Sequence, residues 1–215
     1  GLGISKEHLF GGELISEYAF TNGLKMMGHI WRRNGSIVIA AKGSPERILT
    51  ICELTENDKE VAEHKITEMS KQGLRVIAVA TASPQSESEI PAQIIDCRLT
   101  LCGLIGLADP PRESVKADIA VCNRAGIRVV MITGDNGITA SSIAKKIGMP
   151  NSDHIITGDM LNEMTDVELR ERVKDVSIFS RVIPEHKMRI VKAFKDNGEI
   201  VAMTGDGVND APALK

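Results

Sequence analysis

The sequence predicts an α/β protein in two units. A doubly wound parallel sheet is expected over residues 109–215, and an α+β unit with an antiparallel sheet over residues 1–108. Three observations predict this. Arg33-Asn34-Gly35 separates two β-rich runs and is a hairpin signal, which pairs strands antiparallel. Beyond residue 112, short apolar runs alternate with helical patterns of about ten to fifteen residues, as in a parallel sheet covered by helices. Asp109-Pro110-Pro111-Arg112 stands between the two patterns, and its prolines cannot donate to a ladder.

In chain order, a mixed segment leads to a strand at His29–Arg32, the turn, and a second strand at Ser36–Ala41. Lys42-Gly43-Ser44-Pro45-Glu46 leaves that strand. Pro45 suits the first turn of a helix through Arg47–Cys52, since its missing N–H is unpaired there anyway. Val61, Ile66 and Met69 give Glu60–Gln72 a helical apolar face, and Gly73 supplies the C-cap. Leu74–Thr81 reads as a buried strand, Ser83–Pro91 as a polar loop, and Ile94–Leu107 as one or two further strands. The second half then reads as a helix at Glu113–Ala125, a strand at Ile127–Ile132 and a helix at Ala140–Ile147. A helix at Asp166–Val173, a strand at Ser177–Phe179, a helix at Pro184–Lys195 and a last strand at Ile200–Thr204 follow.

Composition narrows the function classes. With 215 residues, 42% hydrophobic and 26% charged, the chain has the makeup of a globular protein rather than of a disordered tail. A net charge of −3 is the wrong sign for a dedicated nucleic-acid binder, so no nucleic-acid partner is expected. The longest apolar run, Leu99–Ala108, is interrupted by glycines and is far short of the ~20 residues of a membrane span. Cys52, Cys97, Cys102 and Cys122 form no Cys-x-x-Cys pair and are expected to be reduced and buried, in a cytosolic setting. The chain opens on Gly-Leu-Gly-Ile without Met or a signal-peptide pattern, and is expected to be a piece of something longer.

In open α/β sheets, ligands bind at the carboxyl ends of the strands. Thr133-Gly134-Asp135 follows one predicted strand and offers a hydroxyl, backbone N–H groups and a carboxylate; such a run also serves as a simple Asx-capped turn. Asp206-Gly207-Val208-Asn209-Asp210 follows another, and its two carboxylates are hard oxygen donors suited to Mg²⁺ shared with a phosphate. Lys187, near the start of a helix, can offset charge on a transferring phosphoryl group, or can be an ordinary solvated lysine.

Ile-Thr-Gly-Asp-Asn (132–136), Pro-Glu-His-Lys (184–187) and Met-Thr-Gly-Asp-Gly-Val-Asn-Asp-Ala-Pro-Ala-Leu-Lys (203–215) resemble the cytoplasmic signatures of P-type cation-transporting ATPases. The phosphorylation domain of that family belongs to the haloacid-dehalogenase superfamily, and Asp109–Arg112 is similar to the hinge that enters it. Lys42-Gly43-Ser44-Pro45-Glu46 resembles the family's Lys-Gly-Ala-Pro-Glu segment at the adenosine pocket.

The resemblance implies a nucleotide-binding domain over 1–108 and a phosphorylation domain over 109–215. It implies that Phe20 stacks on adenine, that Lys25 and Lys42 line the nucleotide pocket, and that Arg75 reaches the phosphates. Asn22 stands where many relatives carry Arg. Asp206 would hold Mg²⁺, with Asp210 supporting its loop. Thr133 and Asn209 would bond phosphoryl oxygens, and Lys187 would neutralise the transferring group. Gly134, Asp135 and Arg181 would contact ATP when the domains close. The phosphorylated Asp of the family lies in Asp-Lys-Thr-Gly-Thr, a string that does not occur in these residues, so the piece alone is expected to be inactive.

The parent is expected to be an integral membrane protein whose membrane and actuator domains are the partners of this piece, at the cytoplasmic face. The Asp-Pro-Pro-Arg hinge, the Lys-Gly-Ser-Pro-Glu segment and residues 102–149 look most like the calcium-pump branch. Pumps for Na⁺, H⁺ or Mg²⁺ and a soluble phosphatase of the same superfamily are the alternatives. A noncatalytic nucleotide-binding module is a third.

Overall fold

The computed structural model describes residues 11–21 and 23–205. It divides into two compact units: residues 1–69 with 76–107, and residues 70–75 with 108–215.

The first unit is a five-stranded sheet in the order β1-β2-β3-β4-β5: β1 (Glu13–Tyr18), β2 (Met26–Arg33), β3 (Ser36–Gly43), β4 (Arg75–Ala82) and β5 (Thr100–Leu107). β1–β2, β2–β3 and β3–β4 pair antiparallel, as the hairpin signal requires. Asn34 and Gly35 both take positive φ (49° and 79°), the two-residue turn whose twist matches the strands it joins, and Arg33 pairs with Ser36 across it. Met26, Ile30, Ile39, Ala41, Ala78 and Ala80 alternate onto one buried face. Against it pack Ile48 of α1 (Pro45–Ile48), Ile51 of the 3₁₀ turn Leu49–Ile51, and Ile94, Cys97 and Leu99. α2 (Glu56–Lys71) begins four residues earlier than expected and is followed by Gly73 at φ 83°. Tyr18, at the end of β1, donates to the Pro91 carbonyl at 2.6 Å and so ties the first strand to the loop after β4.

The second unit holds a three-stranded parallel sheet in the order β6-β8-β7: β6 (Met131–Ile132), β8 (Ile178–Ser180) and β7 (Ile155–Thr157). Its helices are α3 (Val115–Arg124), α4 (Gly137–Lys146), α5 (Gly158–Glu163), α6 (Asp166–Arg172) and α7 (Pro184–Asp196). Phe179 of the central strand is fully buried and meets Phe194 of α7 edge-on, with ring centroids 6.4 Å apart. Arg128 lies over the Phe194 ring, 4.9 Å from its centroid, and donates to the Val173 carbonyl at 2.9 Å and to that of Lys174. One guanidinium thus satisfies the carbonyls that α6 leaves open at its end.

Several expectations are corrected. The strand expected at Ile127–Ile132 shortens to Met131–Ile132, with Ile127 exposed. Ile200–Thr204 forms no strand: it pairs with none of the three parallel strands, and Ile200 is fully exposed (102%). A β-prone run becomes a strand only against an edge that satisfies its amides. The sheet is therefore smaller than the doubly wound one anticipated. β1, β7 and α5 were not foreseen. The helix expected through Arg47–Cys52 gives way to a 3₁₀ turn after Ile48. All four cysteines are free, but only Cys97 is buried: Cys52 and Cys122 are half-buried, and Cys102 is exposed on β5, since its position in the alternation faces away from the core. No helix among the described residues is long and apolar enough to cross a membrane.

Gly43, at the end of β3, leaves no room for a side chain. A Cβ there would lie 2.4 Å from Met26 Cβ and 2.7 Å from the Lys25 carbonyl oxygen. Gly43→Ala is expected to cost about 1–3 kcal/mol through overpacking. A urea titration reads this as a lower midpoint; an unchanged midpoint would mean that the two backbones separate freely at this point.

Candidate functional site

In the first unit, the sequence candidates gather where β2 begins and β3 ends. Lys25 takes a left-handed φ of 54°, donates its N–H to the Thr21 carbonyl at 2.8 Å, and accepts from the Ser44 N–H at 2.9 Å. These bonds bring the Thr21–Lys25 turn against Lys42-Gly43-Ser44. Lys42 pairs with Met27 on one side and Val79 on the other, on the sheet face opposite Ala41 and the core. The Ser44 hydroxyl is buried and has no hydrogen-bond partner. Phe20, ahead of this turn, is 56% exposed, a large apolar ring left to solvent. Together these groups offer a ring face, lysine charge and a half-buried apolar strip formed by Met27 and Val79.

Arg75 opens β4 but belongs to the second unit, with the rest of Ser70–Arg75. Its Nε is 3.5 Å from Asp135 Oδ1, and its side chain is 72% exposed. Such an ion pair contributes at most ~1 kcal/mol, so Arg75 remains available to an anion. The same segment meets α4 through polar groups. Thr139 Oγ1 donates to the Leu74 carbonyl at 2.9 Å, Ser142 Oγ to that of Lys71 at 2.8 Å, and Asn136 Nδ2 to Ser70 Oγ at 3.3 Å.

The second cluster stands at the carboxyl ends of β6 and β8. Thr133 donates its N–H to the Phe179 carbonyl at 2.9 Å and accepts from Val182 N–H at 3.1 Å; Arg181 N–H donates to the Asp135 carbonyl at 3.0 Å. The parallel ladder therefore continues past both strands and fixes Thr133-Gly134-Asp135 beside Arg181. Thr133 Oγ1 accepts from the Asp135 N–H at 3.1 Å, and Asn136 caps α4 by accepting from Thr139 N–H at 2.9 Å. Gly134 is exposed, with open space where a Cβ would be. Arg181 takes a left-handed φ of 57°. Between the two turns lies Ser180, fully buried, whose hydroxyl has no hydrogen-bond partner.

Lys187 sits half-buried in the first turn of α7, after Pro184. His186 beside it is buried, with Nε2 2.8 Å from Asn162 Oδ1. Burial holds the His186 pKa below the usual histidine value; Arg189 pushes the same way, while Glu185 and Asp159 oppose it. Asp206, Asn209 and Asp210 lie outside the described residues, as does Asn22. The sequence had not singled out Ser180, the role of His186, or the membership of Ser70–Arg75 in the second unit. Pro-Glu-His-Lys was the one local sign for His186, read there only as the flank of Lys187.

Comparison with known proteins finds a family and relatives for this chain. Residues 7–114 match the family described as P-type ATPase, cytoplasmic domain N. Over 99% of its length the chain is 42% identical to the calcium-transporting ATPase of Bacillus subtilis (strain 168), covering 25% of that protein. It is 41% identical to calcium-transporting ATPase 1 of Saccharomyces cerevisiae over 82% of its length, and 39% identical to calcium-transporting ATPase 1 of Schizosaccharomyces pombe over 94%. These alignments cover 20% and 23% of the yeast proteins, so the chain spans about a quarter or less of the relatives it matches.

The shift at His186 gives a pH dependence with a definite sign. The folded state holds the imidazole neutral, whereas the unfolded chain takes up a proton as pH falls through about 6.5. The stability contributed by neutral burial is full above that value, declines as pH falls below it, and is gone below the lower folded-state pKa. Urea midpoints from pH 8 to 5 are expected to decline less steeply in His186→Gln than in the parent; parallel profiles would remove His186 as a source.

Proposed function

Because the chain belongs to the P-type ATPase family, we propose that it is the ATP-handling cytoplasmic part of a calcium-transporting ATPase. In this reading the first unit binds the nucleotide. The second is a phosphorylation domain of the haloacid-dehalogenase type. The γ-phosphoryl of ATP passes to an aspartate in the remainder of the parent protein, since the sequence holds no Asp-Lys-Thr-Gly-Thr string. Calcium is assigned from the names of the relatives. The parent's membrane and actuator domains are the partners, and the membrane's cytoplasmic face is the location.

The observation that carries this reading is the ladder continuing beyond β6 and β8, which holds Thr133, Asp135 and Arg181 together at the carboxyl end of a parallel sheet. Phosphoryl transfer requires little covalent chemistry of the protein; positioning and charge do most of the work. Thr133 Oγ and Asn209 would donate to phosphoryl oxygens. Lys187 would offset their charge, and Arg75, Gly134, Asp135 and Arg181 would meet the nucleotide phosphates and ribose. Phe20 would stack on the base, with Lys25 and Lys42 beside it.

The donor set at the strand ends fits a magnesium–phosphate group. Asp135 and the buried, unpartnered Ser180 hydroxyl are hard oxygen donors, and the sequence adds Asp206 and Asp210 after Ile200–Thr204. Asp206 would hold Mg²⁺, with Asp210 supporting its loop. When bound, the ion neutralises charge that develops on the transferring group.

Two experiments test the assignment. Lys42→Ala is expected to weaken ATP binding roughly tenfold in titration calorimetry, as loss of a charge-assisted contact does; unchanged affinity would take the nucleotide away from this end of the sheet. In the full-length protein, Asp206→Asn keeps the side chain's size and its ability to cap a turn. It is expected to abolish most Ca²⁺-dependent phosphoenzyme and to shift the Mg²⁺ midpoint upward. Phosphorylation at the parental rate and midpoint would move the metal elsewhere, with Asp210 next to be tested.

A further inference from the structure

We propose that His186 and Asn162 form a positioning pair that orients Lys187, and that His186 is a histidine so that the start of α7 is tied down without adding a further carboxylate to that of Glu185 beside that lysine. The proposal rests on the reading of Lys187 as the cation facing the transferring phosphoryl group.

α7 begins in an unusual way. Its N-cap is Ile183, which has no side-chain oxygen to satisfy the first amides, and Pro184 occupies the first helical position. A side-chain bond comes instead from the third position of the helix, to the N–H of the N-cap itself. His186 Nδ1 lies 3.5 Å from the Ile183 N–H, at the long end of hydrogen-bonding range, and Nε2 lies 2.8 Å from Asn162 Oδ1 on α5. The amide can only donate, so Nδ1 is the acceptor and Nε2 carries the proton. The two partners thereby fix both tautomer and ring plane, and the ring is only 4% exposed.

The third position of a capping box ordinarily holds Glu or Gln. A Glu there would place a carboxylate one residue from Lys187 and compete with a phosphate for its charge. The neutral imidazole caps the same amide and also reaches α5, a span that ties two helices together. Gly158, the first residue of α5, closes the arrangement from the other side. A Cβ at that position would lie 2.2 Å from the Arg181 carbonyl oxygen and 3.4 Å from His186 Cε1, so α5 packs directly on the loop that carries Arg181. Successive helical side chains are ~100° apart around the axis, so holding the ring of His186 fixes the direction in which Lys187 leaves the helix.

The test is a double-mutant cycle in the full-length protein. The readout is the rate of Ca²⁺-dependent phosphoenzyme formation at saturating ATP, with nucleotide affinity and thermal melting measured alongside. His186→Ala and Asn162→Ala, which break the pair from opposite sides, are each expected to slow phosphorylation ~10- to 100-fold with ATP affinity unchanged. His186→Gln, which keeps an acceptor and a donor, is expected to retain most of the rate. In a Lys187→Ala background either alanine variant should add less than ~2-fold, because the group being oriented is gone. Effects that multiply with Lys187→Ala, or parental rates in both folded alanine variants, overturn the proposal while leaving the role of Lys187 intact. A parental rate in Lys187→Ala itself overturns the reading of that lysine, and the positioning role falls with it.

Discussion

The site in the second unit depends on hydrogen bonds that lie outside its strands. β6 and β8 are only two and three residues long, too short to define a surface by themselves. The three bonds that continue their ladder, Thr133 N–H to Phe179, Val182 N–H to Thr133 and Arg181 N–H to Asp135, turn two loops into one platform. Buried backbone groups must find partners, and here three of the partners, Thr133, Asp135 and Arg181, are residues proposed above to meet the nucleotide. Asn136 then starts α4 and Pro184 starts α7 from the rim of the same platform. The Phe179–Phe194 contact beneath it supplies the apolar support.

The first unit solves a different problem with ordinary means. A meander of antiparallel strands needs only tight turns and alternation, and both are present at Asn34-Gly35 and along β2, β3 and β4. The special geometry is confined to one end, where Lys25 enters the left-handed region and Gly43 lies against its carbonyl. Two lysines and an exposed phenylalanine are thus gathered at a single end of the sheet, while the other face carries the core.

What the sequence made legible was local. The hairpin at Arg33-Asn34-Gly35, the glycine after α2 and the proline-led helix α7 follow from turn chemistry and period, and each stands within a few residues of its expected bounds. Thr133, Asp135 and Lys187 could be singled out as candidates because strand ends and helix starts can be read from the chain. What stayed hidden depends on partners distant in sequence. β1 is an exposed, partly polar edge strand with an irregular register between Leu14 and Ser16, so no alternation announced it. Ser70–Arg75 bonds to α4 across sixty-five to seventy-four residues, which no periodicity reports. The last run was read as a strand from its composition, but composition cannot provide the neighbour it would pair with. The Ser180 hydroxyl, too, stands out only once its burial is known.

The left-handed backbone at Arg181 bears on how this protein could change over time. An L-residue with a side chain sits there at a cost on the order of 1 kcal/mol, which glycine would not incur. Selection for a longer-lived fold alone would therefore drift toward glycine at 181, and so would laboratory evolution screened only by heat. That drift would gain robustness and discard the guanidinium from a loop whose backbone is bonded to Asp135. Under the nucleotide-contacting role proposed for Arg181, arginine at a position where folding favours glycine is stability given up for a task, and position 181 is where the two pressures can be weighed directly.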